Sequence, residues 1–256
     1  MIYNMEYITN ATRTDGFGAQ LQSVLWMYLW SELTNKNFVY TDIKHIDLIS
    51  NSGSIKDTEN ENTLTEVSDY MGFNKYCIKS ETVNGEINNT SENLAYDFVQ
   101  KNMDYVFNSK AFLLYKKFFY KDKVNRFNKE YMNVAIHIRK LGNFERENGR
   151  FRAGTHDIPD EYYLDKMNLI RNKYDDKNVL FHIYSQGTTE MFKNFMYDDT
   201  VLHLNEKILD TFNDLIFADI LVTCRSSFSY LAGLLSNNQV YYLTFWHPPL
   251  NHWMKF

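Results

Sequence analysis

The chain has 256 residues, of which 23% are charged and 44% hydrophobic, a composition typical of a globular protein with one large or two smaller domains. Its formal net charge of −5 argues against general nucleic-acid binding. Neither a secretory signal nor an apolar stretch of membrane-spanning length is evident, so we expect a cytoplasmic protein with no membrane span.

The first half of the chain predicts a small α/β domain. Residues 5–10 (MEYITN) predict a strand, 21–35 (LQSVLWMYLWSELTN) an amphipathic helix, and 37–43 (NFVYTDI) a second strand. Polar segments at 50–65 and 80–93 predict exposed loops. Two further helices are expected at 94–107 and 110–120. We place the end of this domain at residue 130, so the predicted domains are 1–130 and 131–256.

The second half alternates strands with helices, which predicts a doubly wound parallel sheet. Ligands of such sheets bind beyond the carboxyl ends of the strands, where Arg139, Ser185 and Ser226 are expected. The predicted strands are 134–139 (VAIHIR), 178–185 (NVLFHIYS), 200–204 (TVLHL), 219–224 (DILVTC) and 239–245 (QVYYLTF). The predicted helices are 158–174, 187–195, 207–218 and 226–237.

A turn with two glycines joins the first predicted strand to the first predicted helix. Gly16 and Gly18, on either side of Phe17, permit tight turning and close approach of the backbone to a ligand. The amide of Gln20, in the first helical turn, can donate to a hydroxyl or a phosphate. The competing interpretation is a tight turn with no ligand, since turns of this kind are common.

The strand VAIHIR carries two polar residues among apolar ones. His137 and Arg139 are two positions apart, so they point to the same face of the strand near its carboxyl end. The planar guanidinium of Arg139 can bind two phosphate oxygens at once, and His137 can contact a sugar or hold a loop. The alternative is a buried pair that bonds only to backbone carbonyls.

A serine-rich segment, RSSFS, follows the strand DILVTC at a predicted helix start. Unpaired backbone N–H groups and the helix dipole favour an anion at such a position. The competing interpretation is that Ser226 only caps the helix, although three serines and an arginine exceed what a cap needs. We take the whole segment as a candidate phosphate-binding element: Arg225, Ser226, Ser227, Phe228 and Ser229.

Other polar residues near the predicted strand ends are weaker candidates. Ser185 and Gln186 end the second strand of this half and could meet a ligand. Asp219 either accepts from a nucleobase edge or caps the preceding helix. Carboxylates in the loop after Arg139 are candidates for the base that deprotonates an acceptor hydroxyl: Glu145, Glu147 and, in reserve, Asp157.

Two absences bear on cofactors. No DxD sequence occurs, so the paired carboxylates that often hold a diphosphate-bound metal are missing in that form. We therefore expect no metal or other cofactor, with cationic side chains and helix dipoles neutralising a leaving phosphate. The two cysteines, Cys77 and Cys224, lack metal-type spacing and are predicted to be free thiols.

Three motifs, in order, resemble the superfamily of α-1,2-, α-1,6- and protein O-fucosyltransferases. They are GFGAQL near the start, HIR in the middle and DILVTCRSSFSYLAG near the end. Members of that family typically show G-x-G-N-Q, H-x-R and a serine-rich S-S/T-F-S segment in this order and at similar spacing. HIRKLGNFE is also similar to the H-x-R-x-G-N-x-E stretch of bacterial nodulation fucosyltransferases, with one residue more.

The resemblance implies a GT-B architecture, in which two Rossmann-like domains face each other across a cleft. Residues 1–130 would form the acceptor side and residues 131–256 would bind the nucleotide sugar. The implied reaction is an inverting, metal-independent transfer of fucose from GDP-fucose to a glycan hydroxyl. Arg139 would hold the β-phosphate, residues 226–229 would contact the diphosphate, and Asp219 would lie near the guanine.

Departures from the family pattern keep alternatives open. Ala19 stands where the family often has Asn, and Lys140, Leu141 and Gly142 follow Arg139 where many relatives carry Arg, any residue and Asp. The alternatives are a transferase using another nucleotide sugar and a non-catalytic nucleotide-sugar-binding protein. A Rossmann-fold methyltransferase is the least supported, because it would need a ribose-binding acid and not a late serine cluster.

Overall fold

The computed structural model describes residues 6–13, 15–44, 61–89, 91–140 and 158–255, which form two compact units. Within those ranges, unit 1 combines residues up to Lys123 with His247–Asn251, and unit 2 combines Val124–Trp246 with the residues from His252 onward. Each unit contains a parallel sheet flanked by helices, so the predicted α/β class is confirmed. The candidate bases Glu145, Glu147 and Asp157 lie outside the described residues.

Unit 1 is built on a three-stranded parallel sheet with the order β2-β1-β3. Two expectations for this half were wrong. A short strand occupies part of the segment 80–93, and a helix begins inside the segment 50–65, where loops were expected. The elements are β1 (Glu6–Thr9), α1 (Phe17–Leu33), β2 (Asn37–Val39), α2 (Glu61–Met71), α3 (Phe73–Tyr76), β3 (Glu86–Asn88), α4 (Glu92–Lys101), α5 (Met103–Phe107) and α6 (Lys110–Phe119).

Helix α1 is the central element of unit 1. Its long apolar sequence is buried on nearly every side, and Leu25, Trp26 and Met27 are fully inaccessible. Met27 and Trp30 pack with Ile8 of β1, while α4 lies along the same helix. A helix that is apolar all round needs cover on all sides, and the sheet and the later helices provide it. The position of the α1 N-terminus is therefore set by the core of unit 1.

Gly72, between α2 and α3, is held in a conformation that favours glycine. Its φ is +73°, and a Cβ built there would lie 2.6 Å from Cε1 of Phe118. We expect Gly72→Ala to lower the free energy of unfolding by about 1–3 kcal/mol, because the left-handed backbone and the crowded ring both oppose a methyl group. Urea denaturation would measure the loss. Gly85→Ala is the control, since Gly85 is exposed and has no positive φ. Equal losses in the two variants would contradict the prediction.

Unit 2 is built on a six-stranded parallel sheet with the order β6-β5-β4-β7-β8-β9. The sequence predicted five strands, and the sixth, β9, is only two residues long. The last predicted strand ends at Tyr242, and the helix expected at 187–195 is a 3-10 segment over Thr189–Phe195. The elements are β4 (Met132–His137), α7 (Asp160–Lys173), β5 (Val179–Ser185), β6 (Thr200–Leu204), α8 (Ile208–Phe217), β7 (Ile220–Val222), α9 (Ser227–Leu235), β8 (Gln239–Tyr242) and β9 (Met254–Lys255).

The two faces of this sheet differ in polarity. On one face, Val134 and Ile136 of β4 pack with Tyr163 and Met167 of α7 in a continuous apolar cluster. The other face carries a hydrogen-bonded network, in which Tyr184 of β5 donates to the carboxylate of Asp214 on α8 at 2.9 Å.

Arg126 completes that network from the segment that enters unit 2. Its guanidinium donates to both carboxylate oxygens of Asp214, at 3.0 and 2.8 Å, and to the side chain of Asp210 at 2.7 Å. Asp214 is buried, so the arginine supplies the cation that a buried carboxylate requires. The segment before β4 is thereby fixed to unit 2.

The strand order creates a switch point between β4 and β7. From β4 the chain proceeds to β5 and β6 on one side, and β7 and β8 then add on the other side of β4. In parallel sheets of this type, the loops at the carboxyl ends of the two central strands diverge and leave a crevice that binds ligands. Among the described helices, none has both the length and the hydrophobicity that crossing a bilayer requires.

Candidate functional site

Arg139 and the start of helix α9 lie at neighbouring strand ends, at the switch point of unit 2. Ile136 of β4 pairs with Val222 of β7, so the residues that follow each strand leave the sheet side by side. The backbone of Arg139 forms a hydrogen bond with the thiol of Cys224, two residues before the α9 N-cap. The backbone of Arg139 and the serine-rich turn therefore lie close together, and their binding of a shared ligand stays a prediction.

His137 and Cys224 connect the two strand ends through their side chains. The Cys224 sulfur lies 3.2 Å from Nδ1 of His137, and the ring of Phe228 packs against the imidazole with centroids 5.4 Å apart. Burial and then the charge of Arg139 lower the pKa of His137 to about 3, while burial raises the pKa of Cys224 to about 11. The pair is therefore a neutral imidazole and a neutral thiol.

The serines after β7 have separate roles. Ser226 is the N-cap of α9, and its Oγ accepts from the backbone N–H of Phe228 at 3.3 Å. Ser229 is fully buried, and its Oγ accepts from the backbone N–H of Cys224 at 3.3 Å. The prediction that Ser229 faces a ligand is therefore wrong, because its hydroxyl packs inside the turn. Ser227 is half-buried, and its hydroxyl makes no hydrogen bond within the described part of the chain.

Arg225 and Ser185 lie at the same edge of the sheet with their polar atoms engaged by the backbone. Nε of Arg225 donates to the carbonyl of Thr244 at 3.2 Å, which ties the turn after β7 to the segment after β8. The hydroxyl of Ser185 donates to the carbonyl of Ile138 at 2.6 Å and fixes the backbone just before Arg139. Gln186 follows and is exposed.

Asp219 does not belong to this site. It precedes β7, at the amino ends of the strands, and its carboxylate accepts from the backbone N–H of Asn133 at 2.8 Å. Because the carboxyl ends of parallel strands lie at the opposite edge of the sheet, Asp219 is separated from Arg139 by the length of β4. The role near a guanine that the resemblance implied for Asp219 is therefore wrong, and Asp219 instead joins the starts of β4 and β7.

In unit 1, the predicted glycine turn forms the start of α1. Gly16 is the N-cap, with extended backbone, and its carbonyl accepts from the N–H groups of Ala19 and Gln20 at 3.1 and 3.2 Å. Phe17 and Gly18 are buried within unit 1, and their contact with a ligand stays a prediction. The amide of Gln20 donates to the carbonyl of Asp15 at 2.5 Å.

A small surface depression lies beside this turn in unit 1. Gln20 lines it, together with Asn10 after β1 and Asp42 after β2. Arg13 also lines it and pairs with the carboxylates of Asp15 and Glu92. The turn therefore borders a polar depression within its own unit, and among the predicted residues there only Gln20 lines it.

Sequence reasoning missed the contribution of Cys224 to this site. Both cysteines are free thiols, as predicted, but Cys224 contacts His137 and closes the turn that leads into α9. Its sequence position was a usable signal, since the residue that ends a strand at a switch point contacts the residue that ends the neighbouring strand.

Comparisons with known proteins add a structural similarity. No family model and no curated protein matches the sequence. Among solved structures, POFUT1 in complex with GDP-fucose is 9% identical, with a TM-score of 0.48 over 93% of this chain and 95% of that chain. NodZ alpha-1,6-fucosyltransferase soaked with GDP-fucose is 10% identical, with a TM-score of 0.40 over 91% and 93%. A variant of Arabidopsis thaliana FUT1 in complex with GDP is 13% identical, with a TM-score of 0.44 over 97% and 72%.

The chain is similar in structure to solved fucosyltransferases. At TM-scores below 0.5 and identities of 9–13%, this likeness concerns the fold.

Proposed function

We propose that this protein is an inverting glycosyltransferase that transfers fucose from GDP-fucose to a glycan hydroxyl. The observation that carries the proposal is the meeting of Arg139 and the α9 N-terminus at the β4–β7 switch point, joined through His137 and Cys224 at 3.2 Å. A guanidinium and a helix N-terminus are the two protein features that bind phosphate groups most readily. The motifs that resemble fucosyltransferases supply the choice of donor.

The charges at this site suit a departing nucleoside diphosphate. Arg139 is half-buried, so its interaction with a bound anion is screened less than at an open surface. The first turn of α9 adds its dipole and the hydroxyl of Ser227. We therefore propose that protein cations and dipoles, without a metal, neutralise the diphosphate.

The proposed reaction is a single displacement at the anomeric carbon. The acceptor oxygen forms a bond to that carbon while the bond to the β-phosphate oxygen breaks, and the electron pair leaves with the diphosphate. The acceptor proton passes to a carboxylate base, for which Glu145 and Glu147 remain our predictions. Negative charge grows on the β-phosphate in the transition state, so Arg139 and the α9 N-terminus stabilise that state more than the bound donor.

A ligand panel followed by a turnover assay tests the proposal. Thermal shift and calorimetry with GDP-, UDP- and dTDP-sugars should show stabilisation by GDP-fucose, because a ligand of the folded state raises apparent stability. Release of GDP should then be measured with glycan acceptors and with water. Binding of GDP-fucose without any turnover would favour a non-catalytic nucleotide-sugar-binding protein. Tighter binding of another nucleotide sugar would replace GDP-fucose as the proposed donor. No binding of any nucleotide sugar would overturn the proposal.

Two neighbouring serines give a matched pair of variants. We expect Ser226→Ala to lower the free energy of unfolding by about 1 kcal/mol, since it removes the cap of α9. We expect Ser227→Ala to leave stability unchanged and to weaken GDP-fucose binding about three- to tenfold, the effect of one hydrogen bond. Denaturation and calorimetry on both variants separate the roles, and a Ser227→Ala protein with wild-type affinity would remove Ser227 from the donor site.

A further inference from the structure

The pairing of Cys224 with His137 has a consequence for hydrogen bonding at the site. An imidazole in its neutral form has one donor and one acceptor nitrogen, and the partner of one nitrogen decides which of the two carries the proton. Nδ1 of His137 faces the Cys224 sulfur at 3.2 Å, and the Phe228 ring packs against the imidazole. The proton arrangement of this contact therefore determines what the other nitrogen, Nε2, offers to a ligand.

The surroundings of the sulfur favour the thiol as the donor in this contact. The sulfur already has a hydrogen bond with the backbone of Arg139, which leaves it less able to accept a second N–H. The hydroxyl of Ser229 also lies near the sulfur, at 3.8 Å, and its Oγ accepts a hydrogen bond from the backbone N–H of Cys224. The nearest good acceptor for the thiol hydrogen is thus Nδ1 of His137, and the proton of the imidazole then resides on Nε2.

A thiolate–imidazolium pair, as found in reactive cysteines, does not fit this environment. Cys224 is buried and His137 is part-buried in unit 2, where desolvation disfavours the charged forms, and the neighbouring Arg139 further disfavours an imidazolium. Cys224 is 2% exposed, so an external electrophile would not reach its sulfur. The thiol has a structural effect on His137 and no chemistry of its own.

We infer that Cys224 is a positioning residue, which holds His137 as the Nε2–H tautomer so that the imidazole donates a hydrogen bond to an oxygen of the bound nucleotide sugar. The inference rests on the proposed function for the identity of that ligand, and on the geometry alone for the tautomer. A thiol suits this task because it donates a hydrogen and stays neutral in a buried position. His137 would consequently act as a neutral donor beside the cationic Arg139.

The tautomer can be measured without any ligand. Long-range proton–nitrogen NMR spectra of ¹⁵N-histidine-labelled protein should show His137 with its proton on Nε2 and a hydrogen-bonded, unprotonated Nδ1. Cys224→Ser, which keeps a hydrogen donor, should preserve that pattern. Cys224→Ala should shift the His137 resonances toward a mixture of tautomers, and Cys77→Ala, at the other free cysteine, should leave them unchanged. An Nδ1–H tautomer in the wild-type protein would overturn the inference.

Donor affinity provides the second readout. We expect Cys224→Ala to weaken GDP-fucose binding about two- to threefold, because a mixture of tautomers lowers the binding-competent fraction by about that factor, and Cys224→Ser to keep the wild-type affinity. Wild-type affinity in a folded Cys224→Ala protein with an altered tautomer would overturn the positioning role alone. If the wild-type protein does not bind the donor, the proposed function is wrong and so is the ligand assigned to His137. The NMR spectra would still show which tautomer His137 adopts.

Discussion

Arg139→Ala is expected to lower kcat for sugar transfer by about 10²- to 10³-fold, the loss found when one preorganised donor to a developing charge is removed. Arg139 lies at the carboxyl end of β4 beside the α9 N-terminus, and its backbone is fixed from two sides. The neighbouring carbonyl of Ile138 accepts from Ser185, and the Arg139 backbone bonds to Cys224. The backbone that carries the guanidinium is thus held in place before the reaction, and a charge on a fixed backbone needs less reorganisation in the transition state.

Two companion variants make the result specific. Arg139→Lys keeps the charge but loses the planar fork, so we expect an intermediate activity. Arg171→Ala is the matched control, since Arg171 of α7 pairs with Asp199 at 2.7 Å and has no proposed role in transfer. Release of GDP under saturating donor measures all three. Equal activity of the wild-type and Arg139→Ala proteins, on a donor that both bind, would remove Arg139 from the reaction.

Acidification between about pH 6.5 and pH 4 is expected to lower the free energy of unfolding by several kcal/mol, because three histidines resist protonation in the folded state. Burial lowers the pKa of His137 to about 3, and those of His182 and His247 to about 4. In the unfolded chain these groups titrate near 6.5, so that state binds protons in this interval while the folded state does not. No stability is lost through these groups above pH 6.5, where both states are neutral, and the loss grows as the pH falls toward 4.

His182 offers the clearest single test of this dependence. Nε2 of His182 lies 3.1 Å from Oδ1 of Asn133, and its Nδ1 lies 3.0 Å from Nε2 of His203. Burial lowers the pKa of His182, and the carboxylate of Asp214 raises it. A glutamine at this position is neutral at every pH of interest. Urea denaturation at several pH values should therefore show a smaller decline for His182→Gln than for the wild type.

The control for this measurement is the exposed histidine of the last segment. His252→Gln changes a residue on the surface of unit 2 and should leave the decline as it is in the wild type. The carboxylate of Asp199 has a lowered pKa because Arg171 donates to it. Its contribution to the free energy of unfolding is lost only below about pH 4, outside the pH range in which the histidines act. A wild-type stability that is constant from pH 7 to pH 4.5 would contradict the argument.

The sequence predicted those parts of the fold that rest on long apolar runs. The strands around 134–137 and 220–222 and the helix after 226 were identified because buried segments of a parallel sheet read as apolar stretches between polar turns. The strands β3 and β9 were missed, since two or three residues give no periodic pattern. Their pairing is decided by neighbouring strands and not by local preference.

The site was predicted to a similar extent. Arg139 and the start of α9 could be placed together because strand order and direction decide which residues meet at one edge of a sheet. The roles of individual serines could not, since Ser226, Ser227 and Ser229 differ only in which way each hydroxyl points. Asp219 was misassigned for a topological reason, because a residue that opens a strand lies at the edge away from the ligand.

The assignment of His247–Asn251 to unit 1 bears on how the protein can be dissected. His247 contacts Trp26 within that unit, with ring centroids 5.4 Å apart, and the chain then returns to unit 2 to add strand β9. A fragment that stops near residue 130 would lack these late residues, and one that begins at residue 131 would lack the Arg126 clamp on the buried Asp214. A single cut near residue 130 therefore removes from each unit residues that pack or pair within it.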